Sequence, residues 1–289
     1  MLAFLSFHYM TETTETAETI EAPPAIVAML NQKGGVGKTT LTIHVAGALA
    51  DRGLDVLVVD LAPEGALTSI LGYDEAYSDL DREVSLHELL LDPSRADDVD
   101  DIIITGEEFD LLPANERMVD RTGGELNGEP RARERLKMVL DELATGYDVV
   151  LVDNMPSINV LTDNALVASD GVLIPAYAEA LSVQGLDRLQ KQIDSVREYF
   201  GTVRILGIIA NRVEHNKQAD AMLEQLHSEF EDGLEIPVFD VYKRVDLQRA
   251  IAAQERSIFA ADELDSDMAE VLADVAALVE AELVREANE

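Results

Sequence analysis

Ten consecutive residues, Asn31-Gln32-Lys33-Gly34-Gly35-Val36-Gly37-Lys38-Thr39-Thr40, gather three glycines, two lysines and two hydroxyls. Glycines let a chain turn tightly enough for several N–H groups to face one centre, which makes a cradle for an anion. The run follows an apolar stretch at 26–30 that reads as a short buried strand. It precedes residues 39–52, where Leu41, Val45, Ala48 and Leu49 share one helical face and Gly53 stops the helix. Strand, glycine loop and helix in that order are the setting of a phosphate loop, and the helix N-terminus adds its positive dipole end. Gly34, Gly35, Val36 and Gly37 are therefore expected to wrap phosphates. Lys38 should reach the β- and γ-phosphates, the Thr39 hydroxyl should ligate Mg²⁺, and Thr40 should meet the α-phosphate.

Two carboxylates are placed to serve the same centre. The apolar run 56–59 leads into Asp60-Leu61-Ala62-Pro63-Glu64-Gly65-Ala66-Leu67-Thr68, and the run 149–152 leads into Asp153-Asn154-Met155-Pro156-Ser157. A carboxylate at the end of a buried strand beside a phosphate loop suits a hard cation, directly or through water. Asp60 is expected to act through a water and Asp153 to be the metal-side carboxylate. The competing reading of Asp153 is a helix N-cap.

The loop departs from the standard phosphate-loop pattern in one informative way. Gln32 stands where a glycine is usual, and Lys33 is a second lysine at the head of the loop. This deviant form resembles the ParA/MinD group of ATPases. The resemblance implies ATP with Mg²⁺ as ligands and a homodimer with ATP at the interface. In that group the equivalent of Lys33 crosses to the partner's nucleotide, where a cation offsets the repulsion of two facing phosphate chains. Relatives usually read Asp-x-Asp-Pro-Gln-Gly-Asn at 60–66, and Asp60 keeps the first carboxylate. Ala62 replaces the second, which in the family positions the attacking water. Alanine offers no acceptor for a water proton, so the ATPase is expected to be weak or inactive. Either the protein is naturally slow, or the alanine is a deliberate replacement of an aspartate. At 153–157 the family commonly has Asp-x-Pro-Pro-Ser, of which one proline and the serine remain. Asn211 and Arg212 close the apolar run 205–209, and the resemblance implies that both bind the nucleotide, since in relatives an Asn here holds the adenine. Residues 173–175 with 180–186, and 241–247 followed by Ser257-Ile258, also follow the family order, so the resemblance spans about 25–260.

The elements that must hold these groups are legible in outline. The runs at 26–30, 56–59, 149–152, 172–174 and 205–209 show almost no polar alternation. Strands apolar on both faces require helices on both faces, so the fold expected is a doubly wound, mostly parallel α/β sheet of the phosphate-loop NTPase kind. Residues 1–24 are expected to be a disordered Thr/Glu-rich leader ending in Pro23-Pro24, and 25–289 one ATPase domain. The first nine residues lack a basic segment and a small-residue cleavage site, so no secretory signal is expected, and Met10 is an alternative start. The acidic stretch 78–128 follows the family pattern poorly and is a candidate for partner specificity, with no physical account from sequence.

Composition narrows the setting and the partners. The chain has no cysteine, which excludes disulfides, thiolate metal sites and iron–sulfur ligation. Asp and Glu outnumber Lys and Arg by 57 to 22, a formal charge of −35. A folded surface so charged repels itself unless salt screens it, so a salt-adapted cytoplasm such as that of a halophilic archaeon is expected. Three roles compete: a ParA-like switch for DNA partition or cargo positioning, a MinD-like membrane-associated division ATPase, and a non-hydrolysing ATP-sensing adaptor. Residues 268–283 form an amphipathic pattern whose polar face carries Glu270, Asp274, Glu280 and Glu282. A membrane-surface helix is rich in Lys and Arg instead, so its apolar face is expected to pack on the domain. Lys243, Arg244, Arg249 and Arg256 are the candidates for non-specific DNA binding, a modest patch on so acidic a chain. A ParB-like or cargo-adaptor activator, and a cytoplasmic or nucleoid-associated location, complete the first reading.

Overall fold

The computed structural model describes residues 22–119, 121–143, 146–177, 203–243, 256–260 and 266–284, together with single positions between 191 and 201. Seven strands form one sheet: β1 (Ala25–Met29), β2 (Val56–Asp60), β3 (Asp110–Leu112), β4 (Val149–Asp153), β5 (Gly171–Tyr177), β6 (Arg204–Val213) and β7 (Val238–Tyr242). Their spatial order is β3-β2-β4-β1-β5-β6-β7, and every neighbouring pair is parallel. The expected doubly wound architecture is therefore present.

Side chains alternate along each central strand between two cores. Ile26, Ala28, Leu57, Val59, Val150 and Val152 face one core, shared with α4 (Leu86–Leu91), α6 (Arg135–Leu140) and α7 (Val160–Ala168). Val27, Met29, Val56, Val58, Val149 and Leu151 face the other, shared with α1 (Lys38–Asp51) and α9 (Ser266–Val279). Burial on both faces explains the uninterrupted apolar runs. The expected C-terminal packing also holds: Leu272, Val275 and Val279 are fully buried in the core that contains α1. Among the described residues no helix is long and apolar enough to cross a membrane.

The short helices α2 (Ala66–Ile70), α3 (Asp74–Ser78) and α5 (Thr122–Leu126) lie between the longer ones, and α8 (Lys217–Leu226) follows β6. The stretch 78–128, unassigned from sequence, contains α4, a 3₁₀ run at Pro93–Ile102, edge strand β3 and α5. Val241 and Tyr242, at the head of the segment 241–247 that follows the family order, complete β7, where they pair with Asn211 and Val213. Residues 1–21 and 180–186 lie outside the described residues.

Candidate functional site

The site sits where β1, β2, β4, β5 and β6 end, at the carboxyl edge of a parallel sheet. Ligands of open α/β folds bind there, because loops diverge and helix N-termini converge. β1 leads into the glycine loop, and the loop into α1 at Lys38. Gly35 and Gly37 take φ angles of 76° and 93°, a left-handed region that side chains resist. A Cβ on Gly37 would lie 2.3 Å from Asn211 Nδ2, so packing as well as the turn demands glycine there. The first turn of α1 carries no acidic residue, which leaves its N-terminus attractive to an anion.

Lys38 is buried, and its Nζ donates to the Asn31 carbonyl at 3.2 Å. Burial lowers its pKa, while the charges of Asp153 and Glu64 act the other way. Lys33 is exposed, and its N–H donates to Asn31 Oδ1 at 2.8 Å. Asn31 Nδ2 in turn donates to the Pro175 carbonyl at 2.7 Å, tying the loop entrance to β5. Thr40 lies in the first turn of α1, partly exposed.

Asp60 and Asp153 are register partners on adjacent strands, and both are fully buried. The Thr39 hydroxyl donates to Asp153 Oδ2 at 2.6 Å. Asp60 Oδ2 accepts from the Thr68 N–H at 2.9 Å and the Thr68 hydroxyl at 2.7 Å. Its Oδ1 accepts from the Ala62 N–H at 3.3 Å. Burial, then the charge of Asp153, raises Asp60 to about 7 against those hydrogen bonds. Burial raises Asp153 to about 6, opposed by the Thr39 bond and the Lys38 charge. Asp153 Oδ1 is buried with no hydrogen-bond partner. Two desolvated carboxylates, one with an orphaned oxygen, are short of positive charge. An oxygen-only set of Thr39, Asp153 and Asp60 fits a hydrated divalent cation such as Mg²⁺.

Ala62 is 7 % exposed beside this pair. Its turn is closed by the Gly65 N–H on the Ala62 carbonyl at 2.9 Å and pinned by the Tyr77 hydroxyl on the Pro63 carbonyl at 3.0 Å. The segment is well ordered by its bonds, but its methyl brings no proton acceptor. Pro156, after β4, lies against the loop, since a Cβ on Gly34 would be 3.7 Å from its Cγ.

The structure gives Asn211 a role the sequence did not suggest. Its Nδ2 donates to the Val36 carbonyl at 2.8 Å, and its Oδ1 accepts from the Arg212 N–H at 2.8 Å. The amide that the family resemblance assigns to the adenine thus binds the phosphate loop itself. Sequence reasoning also missed Tyr177, whose hydroxyl donates to the Gly35 carbonyl, and Thr68, which saturates Asp60 Oδ2. A hydrogen-bonding aromatic at the end of a central strand was the only signal for Tyr177.

Of the candidate DNA contacts, Lys243 and Arg256 are described, and each is paired with a carboxylate. Lys243 follows edge strand β7 and pairs with Glu214 at 2.7 Å. Arg256 pairs with Glu107, in the run before the opposite edge strand β3. Arg244 and Arg249 lie outside the described residues. A cleft of about 450 Å³ lies at the other end of the sheet, lined by Asp55, Asp100, Glu107, Glu108 and Asp110 among others. Its carboxylates repel phosphate, so it does not compete with the glycine loop as a nucleotide site.

Fold and site together define a phosphate-loop nucleotide-binding protein. The family described as an AAA domain matches residues 24–205, and the chain belongs to it as a ParA/MinD-like phosphate-loop ATPase. It is similar to the chromosome-partitioning ATPase Soj of Thermus thermophilus, 40 % identical over 185 residues, 63 % of this chain and 67 % of that protein. An uncharacterized protein of Mycobacterium tuberculosis is 37 % identical over 197 residues, 66 % of this chain, and the chain spans 59 % of that relative's length. Among solved structures, cobyrinic acid a,c-diamide synthase from Mycobacterium smegmatis with bound ADP and magnesium superposes with a TM-score of 0.70 at 28 % identity. That match covers 88 % of this chain and 93 % of the synthase.

Proposed function

We propose that the chain binds Mg-ATP between two copies of itself and acts as a slow dimerisation switch of the ParA kind, serving DNA partition or cargo positioning. The observation that carries this reading is the orphaned Asp153 Oδ1 beside the Thr39 hydroxyl at the foot of the loop, with Ala62 in place of an acceptor for water. The N–H groups of residues 34–37 and the α1 N-terminus would cradle the phosphates, and Lys38 would exchange the Asn31 carbonyl for phosphate oxygen. Thr39 and Asp153 would hold Mg²⁺, with Asp60 acting through water; the cation supplies charge neutralisation at the phosphate oxygens. The attacking water needs a group to take its proton. The methyl at position 62 offers none, so hydrolysis lags far behind binding. Exposed Lys33 is the residue available to a partner's nucleotide.

Similarity to a partition ATPase supports the ParA branch, while similarity to a synthase of the same fold is a reminder that fold alone does not set the role. In this reading a ParB-like or adaptor protein stimulates release, and the −35 charge reflects a salt-rich cytoplasm. DNA is a weak partner, because Lys243 and Arg256 are both paired with carboxylates. Light-scattering mass in molar KCl with Mg-ATP, with phosphate release followed in the same sample, tests the proposal. The expected result is an ATP-dependent dimer that releases phosphate slowly, and faster as the Ala62→Asp variant. A monomer with bound ATP in both forms would replace the switch with an ATP-sensing adaptor.

A further inference from the structure

The ends of β5 and β6 grip three successive residues of the phosphate loop from outside. The Tyr177 hydroxyl donates to the Gly35 carbonyl, Asn211 Nδ2 donates to the Val36 carbonyl at 2.8 Å, and the Asn211 side chain fills the space a Cβ on Gly37 would need. The Tyr177 hydroxyl is itself an acceptor, taking Arg212 Nη1 at 2.8 Å, and the Arg212 guanidinium carbon lies 5.4 Å from the centre of the tyrosine ring.

A trans peptide fixes what these bonds do. Its C=O and N–H point in opposite directions across one plane. The Gly35 carbonyl shares its plane with the Val36 N–H, and the Val36 carbonyl shares its plane with the Gly37 N–H. Drawing both carbonyls back to β5 and β6 therefore turns both N–H groups the other way, out of the strand ends that hold them. Without the two ties, glycines on either side would let these planes flip and set carbonyl oxygens where an anion needs donors.

Arg212 strengthens the outer tie. By donating to Tyr177 it commits the tyrosine's own proton to Gly35, and a chain of hydrogen bonds polarised by a cation is stronger than its links taken singly. The arrangement is held against backbone preference. Arg212 is one of three described non-glycine residues with positive φ, at 55°, and its N–H is fastened to Asn211 Oδ1. A residue kept in the left-handed region at a ligand-facing strand end is the kind of strain that accompanies function.

The geometry points to Tyr177 and Arg212 as positioning residues that pre-set the phosphate loop for anions, Arg212 acting through Tyr177 rather than on the nucleotide. The inference rests on the nucleotide reading above for its consequence in ATP affinity, but its effect on the loop is independent of it.

The test compares the full chain with Tyr177→Phe, Arg212→Gly and the double variant in molar KCl. Tyr177→Phe removes only the hydroxyl, and Arg212→Gly suits the left-handed backbone, so melting temperature should stay at the parent value. Amide exchange at Val36 and Gly37, measured without added nucleotide, should quicken in each variant. Affinity for a fluorescent ATP analogue should fall about fivefold to tenfold in each single variant, as expected for losing one hydrogen bond. The double variant should lose no more than the worse single variant, because the two residues form one chain. Unchanged amide exchange in Tyr177→Phe overturns the proposal whether or not ATP binds. Additive affinity losses overturn it too, since they would mean Arg212 touches the nucleotide independently. Failure of the parent chain to bind the analogue, with exchange quickened as expected, refutes the ATP reading and leaves the loop-positioning role standing.

Discussion

Placing a carboxylate at position 62 should have two opposite effects, and their sizes follow from the site. Ala62 is 7 % exposed, and its N–H already lies 3.3 Å from Asp60 Oδ1. The Ala62→Asp side chain would thus add a third acid to a pair already raised to about 7 and about 6. At a separation of about 6 Å and an effective dielectric of about 20, each like-charge contact costs ~3 kcal/mol. A native carboxyl raised above its unfolded value holds extra protons, so stability falls as pH rises through the native pKa. The variant should therefore melt roughly 6–12 °C below the parent at pH 8 for one such contact, and about twice that for two, taking about 2–4 °C per kcal/mol for a domain of this size. The gap should shrink at pH 5, below the values of about 7 and about 6 at which Asp60 and Asp153 lose their protons. Mg²⁺ with ATP should close it by neutralising the cluster, and phosphate release should rise by about 10²–10⁴, the usual worth of a positioned base. Melting followed by circular dichroism across pH, with and without Mg-ATP, and a phosphate-release assay read both effects. Equal melting temperatures at both pH values would refute the placement of position 62 against the two aspartates, and unchanged phosphate release would refute its role in hydrolysis.

Lys38→Ala should abolish binding of a fluorescent ATP analogue, whereas Lys33→Ala should bind normally but stay monomeric with ATP in light scattering; a Lys33→Ala dimer would remove the cross-interface role. Gly47→Ala gains ~1 kcal/mol of helix propensity in α1, yet its Cβ would lie 2.0 Å from Ser257 Oγ. Urea denaturation should show a net loss of ~1–3 kcal/mol, the usual cost of overpacking, relieved by adding Ser257→Gly. Burial alone would lower the His227 pKa, but hydrogen bonds with Glu231 and Asp240 outweigh it and raise the value. The stabilisation is therefore present below the unfolded histidine pKa and lost as pH rises through the folded one, so His227→Gln should lower the melting temperature at pH 5.5 and leave it unchanged at pH 8.5. Dilution from molar to 0.1 M KCl lengthens the Debye length from about 3 Å to about 10 Å, and with a charge of −35 the melting temperature should drop steeply; a salt-independent melt would remove the salt-adapted reading.

The five strands that stand out in the sequence are those buried on both faces. β1, β2 and β4 are covered on each side by helices, so every position before the terminal Asp60 and Asp153 is apolar and the run is unmistakable. β3 and β7 form the edges and were missed for the same physical reason in reverse. β3 has three residues, and β7 leaves Phe239, Asp240 and Tyr242 half-buried, so neither produces an uninterrupted apolar run. The phosphate loop was legible because its chemistry is local: one backbone turn, one helix start and two side chains within ten residues. Its supports were not, because they are long-range. Tyr177 meets Gly35 across 142 residues, and Asn211 meets Val36 across 175. Only the sheet order, which puts β5 beside β1 and β6 next beyond it, brings those side chains within reach. Asp60 and Asp153 are intermediate cases, since each was legible at the end of its own strand while their register pairing emerges from the sheet.

Binding and hydrolysis of a nucleoside triphosphate depend on different groups, and the proposed function assigns them to different positions of this chain. Phosphate charge would be met by backbone N–H groups, by Lys38 and by a cation that Thr39 and Asp153 would hold, and the loop, Lys38 and Thr39 are braced by hydrogen bonds. Taking a proton from water needs a further acceptor, and position 62 carries a methyl. If ATP holds two chains together and hydrolysis lets them part, the lifetime of the dimer is set by the slower chemical step. Losing ~3–5 kcal/mol of transition-state stabilisation at one residue then lengthens that lifetime by about 10²–10⁴ while leaving affinity almost untouched. If the centre is slow in the way proposed, control of the timing passes to whatever supplies the missing acceptor, so a partner that places a carboxylate or amide near Ala62 would act as the trigger.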